Sequence, residues 1–266
     1  MRFLKKICEI KDGTLVKVVN CDNVWLNIPK GVTAIGDNAF QEYAFVVFVY
    51  IPEGLTSIGE NAFEGCSHLA KINLPKGLTS VGKSAFSLCH GLTTVHIPEG
   101  LEHISDGMFR SCHNLQKVYL PKSIRSIGAC AFEDCRSLTS VVLNGDLIEI
   151  GDRAFTGCTS LKRVVLNEGL LEIGDSAFED CDRLEAIKLP KSLSSIGDMA
   201  FASCTSLNKV LLNDGLVHIG DSAFSACNNK LKLALPDHLA INSDRYLRVL
   251  DDWQIDDRRF HRSLIL

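Results

Sequence analysis

The sequence predicts an α/β solenoid of 23-residue coils, with a parallel β-sheet along one face and short helical turns along the other. Three observations carry that expectation. A 23-residue period runs through most of the chain without an insertion or deletion. Each unit holds a segment of alternating apolar and polar residues that usually closes on Pro, the pattern of a strand. Each unit then ends in Ala, Phe and Cys, spaced to face one side of a single helical turn. A unit this small cannot bury its apolar face alone, so the units must stack.

The columns of the repeat are strict. Phe stands at 40, 63, 86, 109, 132, 155, 178, 201 and 224. Cys stands at 66, 89, 112, 135, 158, 181, 204 and 227, with Tyr43 in the first slot. Ile or Val recurs at 35, 58, 81, 104, 127, 150, 173, 196 and 219, followed by Gly in every unit except the one with Ser105. Nine units fit between Ile28 and Ala234, and a tenth begins at Leu235.

Taken in order, residues 1–27 lack the repeat and form an N-terminal cap. There "KICEIKDGTLVKVV" reads as two strands around Asp12-Gly13, a hairpin signal. Residues 28–234 are the nine repeats. In a representative unit, Leu69–Pro75 is the strand, and its terminal Pro costs least where no ladder bond is needed. Gly77–Gly82 is a second extended piece, and the closing Gly lets the chain turn. Lys83–Cys89 is the helical turn. The residue after Gly is acidic at Asp37, Glu60, Asp106, Asp152, Asp175, Asp198 and Asp221, where it would cap that turn. Residues 235–266 hold a partial tenth repeat and a C-terminal helical cap, with an apolar stripe of Tyr246, Leu247, Leu250 and Trp253. Strands about 4.8 Å apart give a sheet roughly 45 Å long.

Composition narrows the function. A net charge of −4 gives no global attraction to nucleic acid or an anionic membrane. No apolar run reaches the roughly 18 residues of a membrane helix. The N-terminus lacks the apolar stretch of a signal peptide, so the chain as written reads as cytoplasmic, or as surface or secreted if an export signal has been removed. The Cys column reads as small buried hydrophobes, because a ladder of parallel thiols neither converges on a metal nor brings Cβ atoms to disulfide distance. Cys8, Cys21 and Cys130 fall outside that column. No phosphate loop, G-x-S-x-G or H-E-x-x-H occurs, and His68, His90, His103, His113 and His218 lack ligand spacing. No catalytic, cofactor or metal residue is assigned.

The stretch "LAKINLPKGLTSVGKSAFSLC", Leu69–Cys89, resembles the BspA-type (Treponema-type) leucine-rich repeat nearly position by position. The resemblance covers residues 28–238. It implies a curved, right-handed leucine-rich repeat solenoid without catalysis, in a family whose members look like bacterial surface proteins and adhesins that bind proteins or host matrix.

Specificity must lie in the positions that vary. On the strand, alternate residues point outward. One outward row is Phe48, Lys71, Thr94, Lys117, Ser140, Arg163, Ala186, Lys209 and Lys232. The other is Tyr50, Asn73, His96, Tyr119, Val142, Val165, Lys188, Leu211 and Ala234. Lys71, Lys117, Arg163 and Lys209 stand two coils apart, about 10 Å, near the Debye length. Cations mixed with exposed apolar groups suit protein recognition. The candidate partner-binding residues are Phe48, Tyr50, Lys71, Asn73, His96, Lys117, Tyr119, Arg163, Val165, Lys188, Lys209 and Leu211. The expected partner of this monomer is a protein, with no nucleic acid, cofactor or membrane insertion. Two other readings stand beside it: a structural spacer or adhesin-like module of a bacterial surface assembly, and an anion-binding face with steep salt dependence.

Overall fold

The computed structural model describes residues 8–19, 24–143, 145–228 and 231–233. After the hairpin β1 (Cys8–Lys11) and β2 (Thr14–Val18), each 23-residue unit makes one coil with three sides. The first side carries β3 (Trp25–Asn27), β5 (Phe48–Tyr50), β7 (Lys71–Ile72), β9 (Thr94–His96), β11 (Lys117–Tyr119), β13 (Ser140–Val142), β15 (Arg163–Val165), β17 (Ala186–Lys188), β19 (Lys209–Leu211) and β21 (Lys232–Leu233). The second carries the two-residue strands β4 (Ala34–Ile35), β6 (Ser57–Ile58), β8 (Ser80–Val81), β10 (His103–Ile104), β12 (Ser126–Ile127), β14 (Glu149–Ile150), β16 (Glu172–Ile173), β18 (Ser195–Ile196) and β20 (His218–Ile219). Paired strands on both sides are parallel and one repeat apart, as in Ile127↔Ile150 and Val118↔Val95. The result is a parallel β-solenoid of about nine turns.

The third side corrects the sequence-based expectation. The described residues contain no helix, and the segment read as a helical turn is an arc of linked β-turns. Two residues per arc sit at positive φ, for example Asn38 (57°) and Glu42 (61°), or Arg153 (56°) and Gly157 (70°). A left-handed residue breaks the helical path and turns its peptide along the solenoid axis. Arg153, Phe155 and Gly157 therefore donate their N–H groups to the carbonyls of Asp175, Ala177 and Glu179 in the next coil, at 2.7–2.9 Å. Four-residue β-turns such as the one closed by Cys158 N–H to Phe155 O, 3.1 Å, close the arc within its own coil. Backbone polar groups that a helix would satisfy internally are satisfied here between coils.

The interior confirms the columns as packing. Phe40 through Phe201 are almost wholly buried and stack face to face with centroids 4.5–5.6 Å apart. The described column cysteines are free thiols, each donating to a Phe carbonyl of the preceding coil, as Cys112 Sγ does to Phe86 O at 3.1 Å. Burial pushes the Cys66 and Cys112 thiols up to about 12, which makes them inert. Cys8 is buried and Cys130 half-buried; Cys21 lies outside the described residues.

Two further readings change. The acids cap no helix. Asp175 Oδ1 instead accepts the backbone N–H of Asp198 in the next coil at 2.7 Å, and Asp198 does the same for Asp221. At Gly59, Gly174, Gly197 and Gly220 the Gly that precedes the acid is there for close approach rather than for turning. A Cβ on Gly174 would lie 2.5 Å from Asp152 Oδ1 and 2.7 Å from its backbone N. At the N-terminus β1 and β2 pair antiparallel, and β2 joins β4 of the first coil. The expected helix at Asn242–Trp253 lies outside the described residues.

Candidate functional site

The two outward rows occupy the first side of the coil, hereafter the strand face. Val49, Ile72, Val95, Val118, Val141, Val164, Ile187 and Val210 point inward and are buried. Strand alternation therefore sends their neighbours outward. Tyr50, Lys71, Asn73, His96, Lys117, Tyr119, Arg163, Lys188, Lys209 and Leu211 are exposed, while Phe48 and Val165 are half-buried. The structure thus gathers all twelve candidates on one surface. His96 stacks on Tyr119 with centroids 4.4 Å apart, which joins two adjacent coils at that surface.

Sequence reasoning missed two aromatic residues at the first coils. Trp25 begins the same row one period before Phe48, stacks on it at 4.3 Å and is 69% exposed. Phe45, in the loop entering β5, is 73% exposed. Counting back 23 residues from Phe48 and Tyr50 would have found Trp25 and Asn27.

Strand pairing adds a two-coil rhythm. β9 pairs with β11, β13 with β15 and β17 with β19, each over three residues. Between these dyads the pairing falls to the single Lys117↔Ser140 or to none between β15 and β17. The first strand of each dyad presents Thr94, Ser140 or Ala186, and the second presents Lys117, Arg163 or Lys209. Lys117, Arg163 and Lys209 follow this rhythm, whereas Lys71 lies on the last strand of the continuous β3-β5-β7 sheet.

The electrostatics of the face are one-sided. Neither row holds an acidic residue from Trp25 to Leu211. The ion pairs among the described residues lie elsewhere: Glu9–Lys11, Lys83–Asp106, Glu102–Arg125, Asp134–Arg136, and buried Glu133 between Arg110 and Arg153. The cations of the strand face therefore have no carboxylate partner among the described residues. Among those residues no group of three His, Cys, Asp or Glu side chains is arranged to hold a metal ion. No helix there is long and apolar enough to cross a membrane.

Residues 18–139 and 125–246 match the BspA type leucine rich repeat region (6 copies). The chain belongs to the BspA-type leucine-rich repeat family. No curated protein matches it. Among solved structures it is similar to the pneumococcal vaccine antigen PcpA, at 26% identity and a TM-score of 0.52, over 79% of this chain and 61% of that one. It is also similar to the leucine rich repeat protein of T. pallidum, at 24% identity and a TM-score of 0.46, over 88% and 87% of the two chains. A leucine rich cell surface protein from Faecalibacterium prausnitzii shares 21% identity, over 82% and 89%, at a TM-score of 0.39. The present chain spans 61% of the PcpA chain, so what that whole antigen does is its own property. The BspA-type repeat accounts for the coil, its Phe and Cys columns and its parallel pairing.

Proposed function

We propose that this BspA-type chain is a non-catalytic protein-binding scaffold that uses the strand face. One observation carries the reading. The strand face combines exposed aromatic and aliphatic side chains with cations that have no carboxylate partner among the described residues, whereas the interior columns are taken up by packing. Exposed aromatics beside Arg and Lys are the usual anchors of protein interfaces. Replacing Lys117, Tyr119 and Arg163 together with Ala tests it. Captured partner should fall at least tenfold in a pull-down, with an unchanged thermal unfolding midpoint. Undiminished capture by the folded triple variant would refute the use of this face.

A second reading, a module of a bacterial surface assembly, is favoured by the likeness to the pneumococcal antigen. It predicts that the chain labels from outside intact cells.

A further inference from the structure

We propose that the outer edge of β3, at the N-terminal end of the strand face, takes one extended segment of another protein as an added β-strand. That segment carries an aromatic or β-branched side chain against Trp25, a small residue next to it and a hydroxyl residue beside Asn27. The site is the end of the sheet rather than its face, and it stands whether or not the rows of cations bind a partner.

The backbone of β3 selects a strand. Phe48 N–H donates to Val24 O at 3.1 Å, and Ile28 N–H donates to Tyr50 O at 3.0 Å. With Trp25↔Phe48 and Asn27↔Tyr50 in parallel register, residues 24, 26 and 28 serve the ladder to β5. The N–H and C=O groups of Trp25 and Asn27 therefore point the other way, where a preceding coil would stand. Among the described residues no strand pairs with them, since this sheet begins at β3 and runs on through β5 and β7. Donors and acceptors are thus set out at strand spacing along an open edge, the arrangement that a guest strand completes with main-chain bonds. A helix, whose backbone groups bond internally, cannot complete it.

The two sheet edges at this end of the molecule differ in chemistry. The second-side sheet ends on β1, where Glu9 and Lys11 form an ion pair at 3.0 Å and the register with β2 shifts after Glu9. Charges and irregular pairing of this kind keep an edge from recruiting another strand. Residues 24–27 hold neither a charge nor a Pro, and Val24 and Trp25 are both exposed. Phe48, in the next coil, covers one face of the Trp25 indole. The other face is open on the side of the free backbone groups, where a paired strand would lay an outward side chain on it. The next residue of that strand points inward and must be small, because Leu26 is buried and the core is already closed there. The cap decides between a single strand and a second copy of this chain. β2 pairs with β4 one step before the first coil, and β1 lies a further step out. The slot beside β3 is level with β2, so the hairpin overhangs it. A second solenoid brought edge to edge would drive its own first coil into the hairpin, whereas one extended segment fills the step.

The test uses the whole chain, isotope-labelled for NMR, and the uncharged peptide Ser-Thr-Ala-Phe-Ala-Thr-Ser. Its order reads the same from either end, so it suits a parallel or an antiparallel strand. With the peptide in excess, hydrogen exchange at the Trp25 and Asn27 amides should slow at least fivefold, and the Trp25 Nε1–H resonance should shift. The same peptide N-methylated at its Phe and Ala residues keeps the side chains but loses the donors, and should not bind. Asn27→Pro removes an N–H that β5 does not use, so it should weaken binding at least tenfold with an unchanged thermal unfolding midpoint. Trp25→Lys removes the platform and charges the edge, and should weaken binding as much. The Lys117, Tyr119 and Arg163 triple variant should bind the peptide like the parent chain, so failure of the strand-face rows and failure of this edge are read separately. Four results would each overturn the proposal: no slowing with the peptide in excess, slow exchange at Trp25 and Asn27 in the free chain, equal binding of the N-methylated peptide, or a dimer of the chain in sedimentation that Asn27→Pro abolishes.

Discussion

At Met199 the backbone sits at φ 53°, a conformation that costs a residue with a Cβ about 1–2 kcal/mol. Its side chain is 43% exposed and packs little. Met199→Gly should therefore raise stability by about 1 kcal/mol in urea denaturation, although most Gly substitutions destabilise. The opposite holds at Gly174, whose added Cβ would press on the backbone of Asp152. Gly174→Ala should cost about 1–3 kcal/mol in the same experiment, as overpacking does elsewhere. The column thiols are a third case. With burial pushing Cys66 and Cys112 up to about 12, both should label with a thiol reagent at pH 8 at least a hundredfold more slowly in the native protein than in denaturant. Fast native labelling would show that the column opens.

Each arc replaces a helical turn with a ladder, and the Asp column ties that ladder together at its start. Asp175→Ala removes the acceptor for the Asp198 N–H and should cost about 1–3 kcal/mol in a urea melt, with Asp175→Asn recovering part of it. How much of this element was legible follows from the same residues. The 23-residue period fixes which side chains stack, so the strands, the second sheet and the Phe and Cys columns could be read directly. The helix could not, because Ala-Phe-x-x-Cys has the same spacing in a helical turn and in linked β-turns. The signal that separates them was partial. One positive-φ slot holds Asn38, Asn61 and Gly107 but also Cys130, Arg153 and Met199, and the other holds Gly65, Asp134, Gly157 and Asp180 but also Glu42, Leu88 and Ala226, so the signal is present in only some coils. Asn, Asp and Gly tolerate left-handed backbone, and a recurrent pair of such slots disfavours a helix. The strand-face candidates were legible as rows because alternation alone orients them. Their lack of carboxylate partners among the described residues was not, since ion pairing depends on which coil lies beside which.

The coils are not joined equally along the whole molecule. Between β7 and β9, and between β8 and β10, the described strands share no ladder. At this seam Ser105 stands in the Gly column, and its hydroxyl donates to Val81 O where other coils use a backbone N–H. The arc still crosses it through Ser84, Phe86 and Leu88, joined by the Lys83–Asp106 ion pair and the His90–His113 stack, 4.5 Å apart. Ser105→Gly should restore the ladder and slow hydrogen exchange at residues 103–105. Desolvation, aided by the neighbouring His90 and Arg136 and opposed by Asp134, holds the His113 imidazole below its ordinary 6.5. The unfolded chain then takes up a proton at His113 more readily than the folded one. His113 thus costs nothing above pH 6.5, and its destabilisation grows as pH falls through the lowered value. Thermal melts at pH 7 and pH 5 should show the loss, and His113→Gln should reduce it. In-register pairing at a fixed offset also sets a rule for editing this chain. Within its strands and arcs, length can change only in whole 23-residue quanta, because any other insertion there slides the columns off their partners. A one-quantum deletion would keep the fold yet shift the remaining cations by half of their 46-residue beat, so the solenoid tolerates odd and even edits alike while its surface pattern survives only the even ones.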